Sequence, residues 1–529
     1  MNPYQDFIEA TTEAAKPLHI AHTHAMWRAA VSGEAQAVQE EASAQAELMR
    51  FWAEPVRFAK ARELSQAASG DPLLDRALKV IVLAAAKAQQ DEESIQKLTA
   101  LEARVRQEFY TFRPQVGGKE LADNELDAVL RESSDSEEVH EVWLASKLVG
   151  HRVADDIREL ARVRNAAAQA QGYRDHVERS LILNEIDESW LLTWLDRIET
   201  ETRPFFLELK ARIDVRRASH FHLPPADLKP WHYGDRFFQE APPLEKVDLD
   251  QAIHGQDPVE LATRTYDGVG LEVRDILERS DLYPRPGKNQ HAFCLDLDRE
   301  GDVRTLNNLE SNHRWTETLL HELGHAVYNK YIDVSLPWLL RRPPHNLSTE
   351  AVALMMGSLA YGCEWLTHIA GVAGEEAAAL AQAGQEQERS LRLIFARWCL
   401  VMVRFERALY ADPEGDLDSL WWDLVEKYQR LSRPEGPKAP DWAAKYHIAL
   451  APVYYHNYLL GHLVSAQLRT RVQQEAGGIV GCVGAGGWLV ERVFKPGTTT
   501  DWSEHVQRAT DEPLSPRFFV DSIRDHPAG

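Results

Sequence analysis

The sequence predicts a predominantly helical protein with one small β hairpin. Residues from about 5 to 110 are rich in Ala, Glu, Gln and Leu, with apolar residues at helical spacing and few prolines. The stretches 136–175 and 185–215 continue this pattern as long amphipathic helices. At 529 residues the chain exceeds the usual size of a single hydrophobic core, so we expect two lobes.

Residues 287–310 change from helical to strand-like spacing. Apolar and polar side chains alternate over 291–297 and again over 302–306, on either side of an Asp- and Gly-containing turn. This alternation predicts a short β hairpin, whose open edge could pair with an extended peptide. By contrast, the glycine-rich stretch 476–488 is typical of a loop.

The HExxH motif at residues 321–325 predicts a zinc-binding helix. Two histidines four residues apart lie on one face of a helix, so His321 and His325 can bind the same Zn²⁺. An apolar stripe at helical spacing flanks the motif, and residues 311–312 supply capping oxygens before it. Glu322 lies beside the first histidine and is the candidate general base for hydrolysis.

A zinc hydrolase needs a third protein ligand, and Glu350 is the candidate. It follows the motif after a proline-containing break and begins a second helix, for which Ser348 is the expected N-cap. An acidic residue there could also simply complement the helix dipole. Beside HExxH the ligand role is the better interpretation, so we assign one Zn²⁺ per chain to His321, His325 and Glu350.

The composition agrees with a large soluble enzyme. The chain has 59 Lys and Arg against 82 Asp and Glu, a formal net charge of −23, which argues against nucleic-acid and anionic-membrane partners. Four cysteines lack framework spacing, which favours a reducing compartment. The sequence shows no signal peptide and no apolar run long enough to span a membrane, so a cytoplasmic location is expected.

A second polar cluster lies far downstream. Residues 445–448 read Lys-Tyr-His-Ile, and Tyr455 and Tyr458 follow three residues apart, so that on a helix they would share a face. Such groups often only pack between helices. In a zinc peptidase, however, a Tyr hydroxyl and the His447 imidazole could stabilise an oxyanion, and Lys445 could bind a carboxylate.

In combination these motifs resemble the angiotensin-converting enzyme family of zinc peptidases. The chain has the family's His-Ala pair at 291–292, its HExxH helix, its third-ligand Glu and its Lys-Tyr-His-Ile sequence. The tyrosine pair matches if one residue is inserted before it. Weaker similarity extends to both sides and covers most of the chain.

The resemblance implies a fold and a division of roles. The fold would be an all-helical ellipsoid, a single domain over 1–529 of two intertwined lobes. A deep channel would run between the lobes, with lid helices in about 1–110 and the motifs in about 287–470. Glu322 would act as base and then pass the proton to the leaving amine, and Tyr458, helped by His447, would stabilise the oxyanion.

The same resemblance implies how a peptide is held. His291 and the Ala292 backbone would bind it in an extended form beside the metal. Lys445 and Tyr455 would bind its C-terminal carboxylate, which favours release of C-terminal dipeptides. The expected partners are thus short peptides, and the expected oligomeric state is a monomer or homodimer.

Some positions depart from the family pattern. The Asp expected four residues after Glu350, as a partner for a ligand histidine, is Leu354 here. A chloride-binding Arg is replaced by Asn457, which makes chloride activation doubtful. The glutamine that helps Lys445 bind a carboxylate falls at His254, with Gln256 nearby, and the insertion leaves Tyr454 as an alternative tyrosine.

The sequence alone leaves two alternative functions open. A zinc oligoendopeptidase, resembling the thimet oligopeptidase or oligoendopeptidase F families, would use the same chemistry without needing a free C-terminus. A zinc-holding binding protein without activity is the other alternative, against which Glu322, His447 and Tyr458 argue.

Overall fold

The computed structural model describes residues 2–89, 91–242 and 248–524. Those residues form 22 α-helices and two small antiparallel sheets of two strands each, which confirms the predicted predominantly helical fold. Within the described ranges, no helix is both long enough and apolar enough to cross a membrane.

The helices are numbered in chain order. Helices α1 to α11 are Pro3–Ser32, Ala35–Ala53, Pro55–Ala67, Pro72–Ala88, Glu92–Thr111, Asp123–Glu132, Ser136–Ala170, His176–Leu183, Glu188–Phe221, Leu249–Ala252 and Pro258–Val269. Helices α12 to α22 are Arg274–Arg279, His313–Lys330, Asn346–Gly357, Cys363–His368, Gly374–Ala411, Leu417–Gln429, Tyr446–Leu450, Tyr455–Ala476, Val483–Leu489, Trp502–Thr510 and Pro516–Ile523. Strands β1 to β4 are Gln115–Val116, Lys119–Glu120, Phe293–Asp296 and Val303–Leu306.

The chain forms two compact units, each assembled from segments that are distant in sequence. Unit 1 contains the described residues of 2–89, 248–385 and 460–519. Unit 2 contains those of 91–242, 386–459 and 520–524.

The predicted hairpin is present in unit 1. Strands β3 and β4 pair antiparallel, with Phe293 opposite Leu306, and the loop between them contains the predicted turn. The Leu297 and Leu306 side chains pack with Trp27 of α1 in a small apolar cluster. The hydroxyl of Thr23 donates to the carbonyl of Leu297 over 2.7 Å, so α1 is joined to the hairpin by both packing and hydrogen bonding.

Helix α13, which carries HExxH, begins as the sequence predicts. The Asn312 side chain accepts a hydrogen bond from the backbone N–H of Trp315 over 2.8 Å, which satisfies one of the free donors of the first turn. Leu319, Leu320 and Leu323 are fully buried on its apolar face. Burial of this stripe fixes the rotation of the helix about its axis, and therefore the direction in which its histidines point.

Candidate metal centre and substrate anchor

Three side chains from two helices of unit 1 converge on one point. His321 and His325 lie one turn apart on α13, with ring centroids 5.0 Å apart. From α14, Glu350 places Oε2 at 3.5 Å from Nε2 of His325 and Oε1 at 4.0 Å from Nε2 of His321. All three donor atoms lie within 4.8 Å of one another. Two imidazoles and a carboxylate at this spacing fit a Zn²⁺ ion with one open position.

A glycine allows the two ligand-bearing helices to approach closely. A Cβ atom on Gly324 would lie only 2.7 Å from the Cα atom of Ala353 on α14, so the two backbones are in direct contact there. A Cβ atom on Gly461 of α19 would lie 3.1 Å from Cγ of Glu350. Small residues thus set the separation of the helices and pack against the stem of the third ligand.

The start of α14 differs from the prediction. His345, not Ser348, caps this helix: its Nδ1 accepts the backbone N–H of Leu347 over 3.1 Å. Burial lowers the pKa of His345 to about 4, so the ring is neutral at neutral pH and its Nδ1 can accept. Ser348 therefore lies inside the helix, and Glu350 is deeper in it than the first turn that the sequence suggested.

Burial dominates the electrostatics around the ligands. It lowers the pKa of His321 to about 3 and that of His325 to about 4, which leaves both imidazoles neutral and able to donate a lone pair to a metal. Burial, together with the nearby carboxylates of Glu350 and Glu317, raises the pKa of Glu322 to about 8. Oε2 of Glu322 is buried with no hydrogen-bond partner among the described residues. A cation here would offset this concentration of acidic groups.

His291 and Ala292 lie immediately before β3. His291 is exposed, and its backbone N–H donates to the Asn289 side chain over 2.9 Å. Further along the strand, burial raises the pKa of the Cys294 thiol, and the charge of Glu322 adds to this effect. The strand that follows the His-Ala pair thus lies beside the HExxH helix within unit 1.

Lys445 lies in unit 2, in a buried pocket of polar and aromatic groups. Its Nζ donates to Oε1 of Gln239 over 2.7 Å and lies 5.8 Å from the ring centroid of Tyr455. Burial lowers the pKa of Lys445 to about 8, against the opposing effect of the Asp235 and Glu240 carboxylates.

The glutamine that contacts Lys445 within unit 2 is Gln239, which the sequence did not single out. His254 and Gln256, at the position expected from the family pattern, belong to unit 1, where the Gln256 side chain donates to the carbonyl of Ala370 over 2.8 Å. The backbone N–H of Gln239 is bound by Asp235 over 3.1 Å. Gln239 stands in no short motif, so only the fold reveals it.

The tyrosine pair begins α19 in unit 2. The rings of Tyr455 and Tyr458 have centroids 5.5 Å apart, that of Tyr454 lies 5.1 Å from Tyr458, and that of His447 lies 5.1 Å from Tyr455. Burial raises the pKa of Tyr455, which keeps its hydroxyl protonated as a donor. Burial lowers the pKa of His447 to about 4. Nδ1 of that ring is buried without a hydrogen-bond partner among the described residues.

All four cysteines are free thiols: Cys294, Cys363, Cys399 and Cys482. The predicted metal ligands, Glu322 and the His291-Ala292 pair belong to unit 1. The Lys445 and tyrosine cluster, which ends at Tyr458, belongs to unit 2.

Comparison with known proteins identifies the family. No curated protein matches the chain. A family model described as angiotensin-converting enzyme matches residues 2–227 and 284–515. The predicted zinc ligands, catalytic residues and peptide-binding residues lie in the second segment, whereas Gln239 and His254 lie between the two segments. Since these segments make up most of the chain, the protein belongs to the angiotensin-converting enzyme family of zinc peptidases.

Proposed function

We propose that the protein is a zinc-dependent peptidyl dipeptidase that hydrolyses short peptides and releases C-terminal dipeptides. Membership of the peptidase family supports the hydrolysis. The dipeptide preference is carried by one observation: the buried ammonium group of Lys445 lies beside the Gln239 amide and the Tyr455 ring. A buried cation with amide and hydroxyl groups beside it is suited to a free carboxylate.

His321, His325 and Glu350 would hold the zinc ion. When bound there, zinc supplies an acidified water and a Lewis acid that polarises the scissile carbonyl. The adjacent buried carboxylate, Glu322, has one oxygen without a hydrogen-bond partner among the described residues. A cation held by the three ligands would favour the ionised form of Glu322, whose free oxygen could then take the proton of the attacking water and deliver it to the leaving amine.

The hydroxyl of Tyr458 would donate a hydrogen bond to the developing oxyanion, and His447 would assist. One such donor typically lowers the barrier by roughly 3 kcal/mol. His291 and the Ala292 backbone would bind the peptide in an extended form at the start of β3, where main-chain groups can pair with a strand-like substrate.

Lys445, Gln239 and Tyr455 would together bind the C-terminal carboxylate of the substrate. Lys445 supplies the charge, while the Gln239 amide and the Tyr455 hydroxyl can each donate a hydrogen bond. Such an anchor would make a free C-terminus a requirement for rapid cleavage.

The test is the Glu322→Gln variant, with zinc content measured on the same sample. We expect full zinc content and a loss of turnover on an unstructured peptide with a free C-terminus, because the amide cannot take a proton. Hydrolysis by this variant at the wild-type rate would contradict the role of Glu322. A wild-type protein that binds zinc and cleaves no peptide would contradict the proposed function.

A further inference from the structure

Glu406 is a buried carboxyl group in unit 2 that the proposed chemistry does not use. It lies on α16 with a relative exposure of only 3%. Its Oε1 accepts the backbone N–H of Val453 over 2.8 Å. Val453 belongs to the four-residue loop that joins α18 to α19, so Glu406 is bound to the backbone just before the tyrosine pair.

Val453 has an unusual backbone conformation. Its φ angle is +55°, in the left-handed region that branched side chains rarely adopt because of steric conflict around Cβ. Such a conformation persists only where the surroundings enforce it. The hydrogen bond to Glu406 is one such contact, since it fixes the direction of the Val453 N–H group.

The loop lies between groups that are assigned to the reaction. His447 stands before it on α18, and Tyr455 and Tyr458 stand after it on α19. The ring centroids of His447 and Tyr455 are 5.1 Å apart, and those of Tyr455 and Tyr458 are 5.5 Å apart. A change in the loop backbone would therefore rotate or shift the start of α19 relative to His447.

The other end of the loop is held as well. The guanidinium of Arg164 donates to the carbonyl of Ala449 on α18 over 2.7 Å.

Burial raises the pKa of Glu406 to about 8, so below that pH its carboxyl group is neutral and a glutamine could replace it as an acceptor. A cavity of about 20 Å³ beside Glu406, Val453 and His456 leaves room for about one water.

We infer that Glu406 is a positioning residue: by holding Val453 in the left-handed conformation, it fixes how Tyr455 and Tyr458 lie relative to His447. This inference rests on the proposed function insofar as these groups act on the substrate. The contact between Glu406 and Val453 does not depend on that function.

Four variants test the inference: Glu406→Gln, Glu406→Ala, Val453→Gly, and the double variant of Glu406→Ala with Val453→Gly. In Glu406→Ala we expect kcat to fall about tenfold to 100-fold with a smaller change in KM. The hydroxyls of Tyr455 and Tyr458 would be displaced and would stabilise the transition state less well. Glu406→Gln keeps an acceptor and should retain most of kcat. Val453→Gly should restore kcat in the double variant, since glycine adopts positive φ without the carboxyl group.

Met402→Ala is the matched control, because Met402 is buried on the same helix one turn earlier. Val453→Gly should not rescue its kcat. The inference is overturned if Val453→Gly fails to restore Glu406→Ala, or restores Met402→Ala equally well.

Thermal unfolding separates this inference from the proposed function. Glu406→Ala should lower Tm less in the Val453→Gly background than in the wild-type background, whether or not the protein cleaves peptides. Equal losses of Tm in the two backgrounds would contradict the inference. An inactive wild-type protein with unequal losses would contradict only the proposed function.

Discussion

The ammonium group of Lys445 is hydrogen-bonded to Oε1 of Gln239 over 2.7 Å, although these residues are 206 positions apart in the chain. The ring centroids of Phe237 and Trp398 each lie 5.4 Å from Nζ. Lys445 is thus a buried cation among aromatic faces, where a carboxylate ligand would meet little competition from water.

Replacing Lys445 with methionine should separate two classes of substrate. The variant loses a charge-assisted hydrogen bond to a free carboxylate, so kcat/KM for free-acid peptides should fall about 10- to 100-fold. The kcat/KM for the same peptides with an amidated C-terminus should change little. Steady-state kinetics on matched peptides measures both.

Gln239→Ala should also lower kcat/KM for free-acid peptides and leave that for amidated peptides nearly unchanged. The loss should be smaller, about threefold to tenfold, because a neutral hydrogen-bond donor is removed rather than a charge. Gln256→Ala is the control, since Gln256 bonds to the Ala370 carbonyl instead. An equal loss in both glutamine variants would contradict the assignment of Gln239.

The charge of Lys445 predicts a pH dependence. Its pKa is lowered to about 8 by burial, so the free enzyme carries this charge below pH 8 and loses it as the pH rises through that value. The ratio of kcat/KM for free-acid over amidated peptide should therefore fall above about pH 8. In Lys445→Met the ratio should not vary with pH. A wild-type ratio that rises with pH would contradict this role.

Gly324→Ala should weaken zinc binding. The added methyl group would lie 2.7 Å from the Cα atom of Ala353, so α13 and α14 must separate, at a cost of about 1–3 kcal/mol. The separation moves the histidines away from Glu350, and zinc affinity should fall about tenfold or more in a chelator competition. Gly487→Ala on α20 is the control, because outside its own helix backbone no heavy atom of the described residues lies within 4 Å of the added Cβ.

Removal of the metal should lower thermal stability. A ligand that binds only the folded state at 100 times its Kd adds about 2.7 kcal/mol, so a chelator should lower Tm by a few degrees and added zinc should restore it. In His325→Ala, which lacks one ligand, the chelator should change Tm little. An unchanged wild-type Tm would contradict metal binding at this site.

The sequence predicted best what depends on local spacing. The helix of HExxH, its Asn312 cap and the β3–β4 hairpin follow from short-range patterns, and the structure contains all three. The predicted N-cap of α14, Ser348, was wrong: the neutral His345 ring accepts the backbone N–H of Leu347 instead, and histidine is not among the usual capping residues from which a cap is predicted.

Features that depend on distant contacts were missed. The glycine-rich stretch at 476–488 is partly the helix α20 rather than a loop. A Cβ atom on Gly486 would lie 2.5 Å from the Val269 carbonyl, so this glycine allows close packing against α11 and does not mark a turn. Tertiary packing overrides local propensity in such cases, and Gln239 was missed because its role depends on a contact with a distant residue.

The most direct test is to identify the cleavage products of one unstructured decapeptide. The peptide is prepared as a free acid and as a C-terminal amide, and both forms are incubated with the protein at equal zinc concentration. Mass spectrometry should show stepwise loss of dipeptides from the free acid and little cleavage of the amide. Internal cleavage of both peptides at similar rates would contradict the carboxylate anchor at Lys445 and indicate an oligoendopeptidase. No cleavage of either peptide would contradict peptidase function itself.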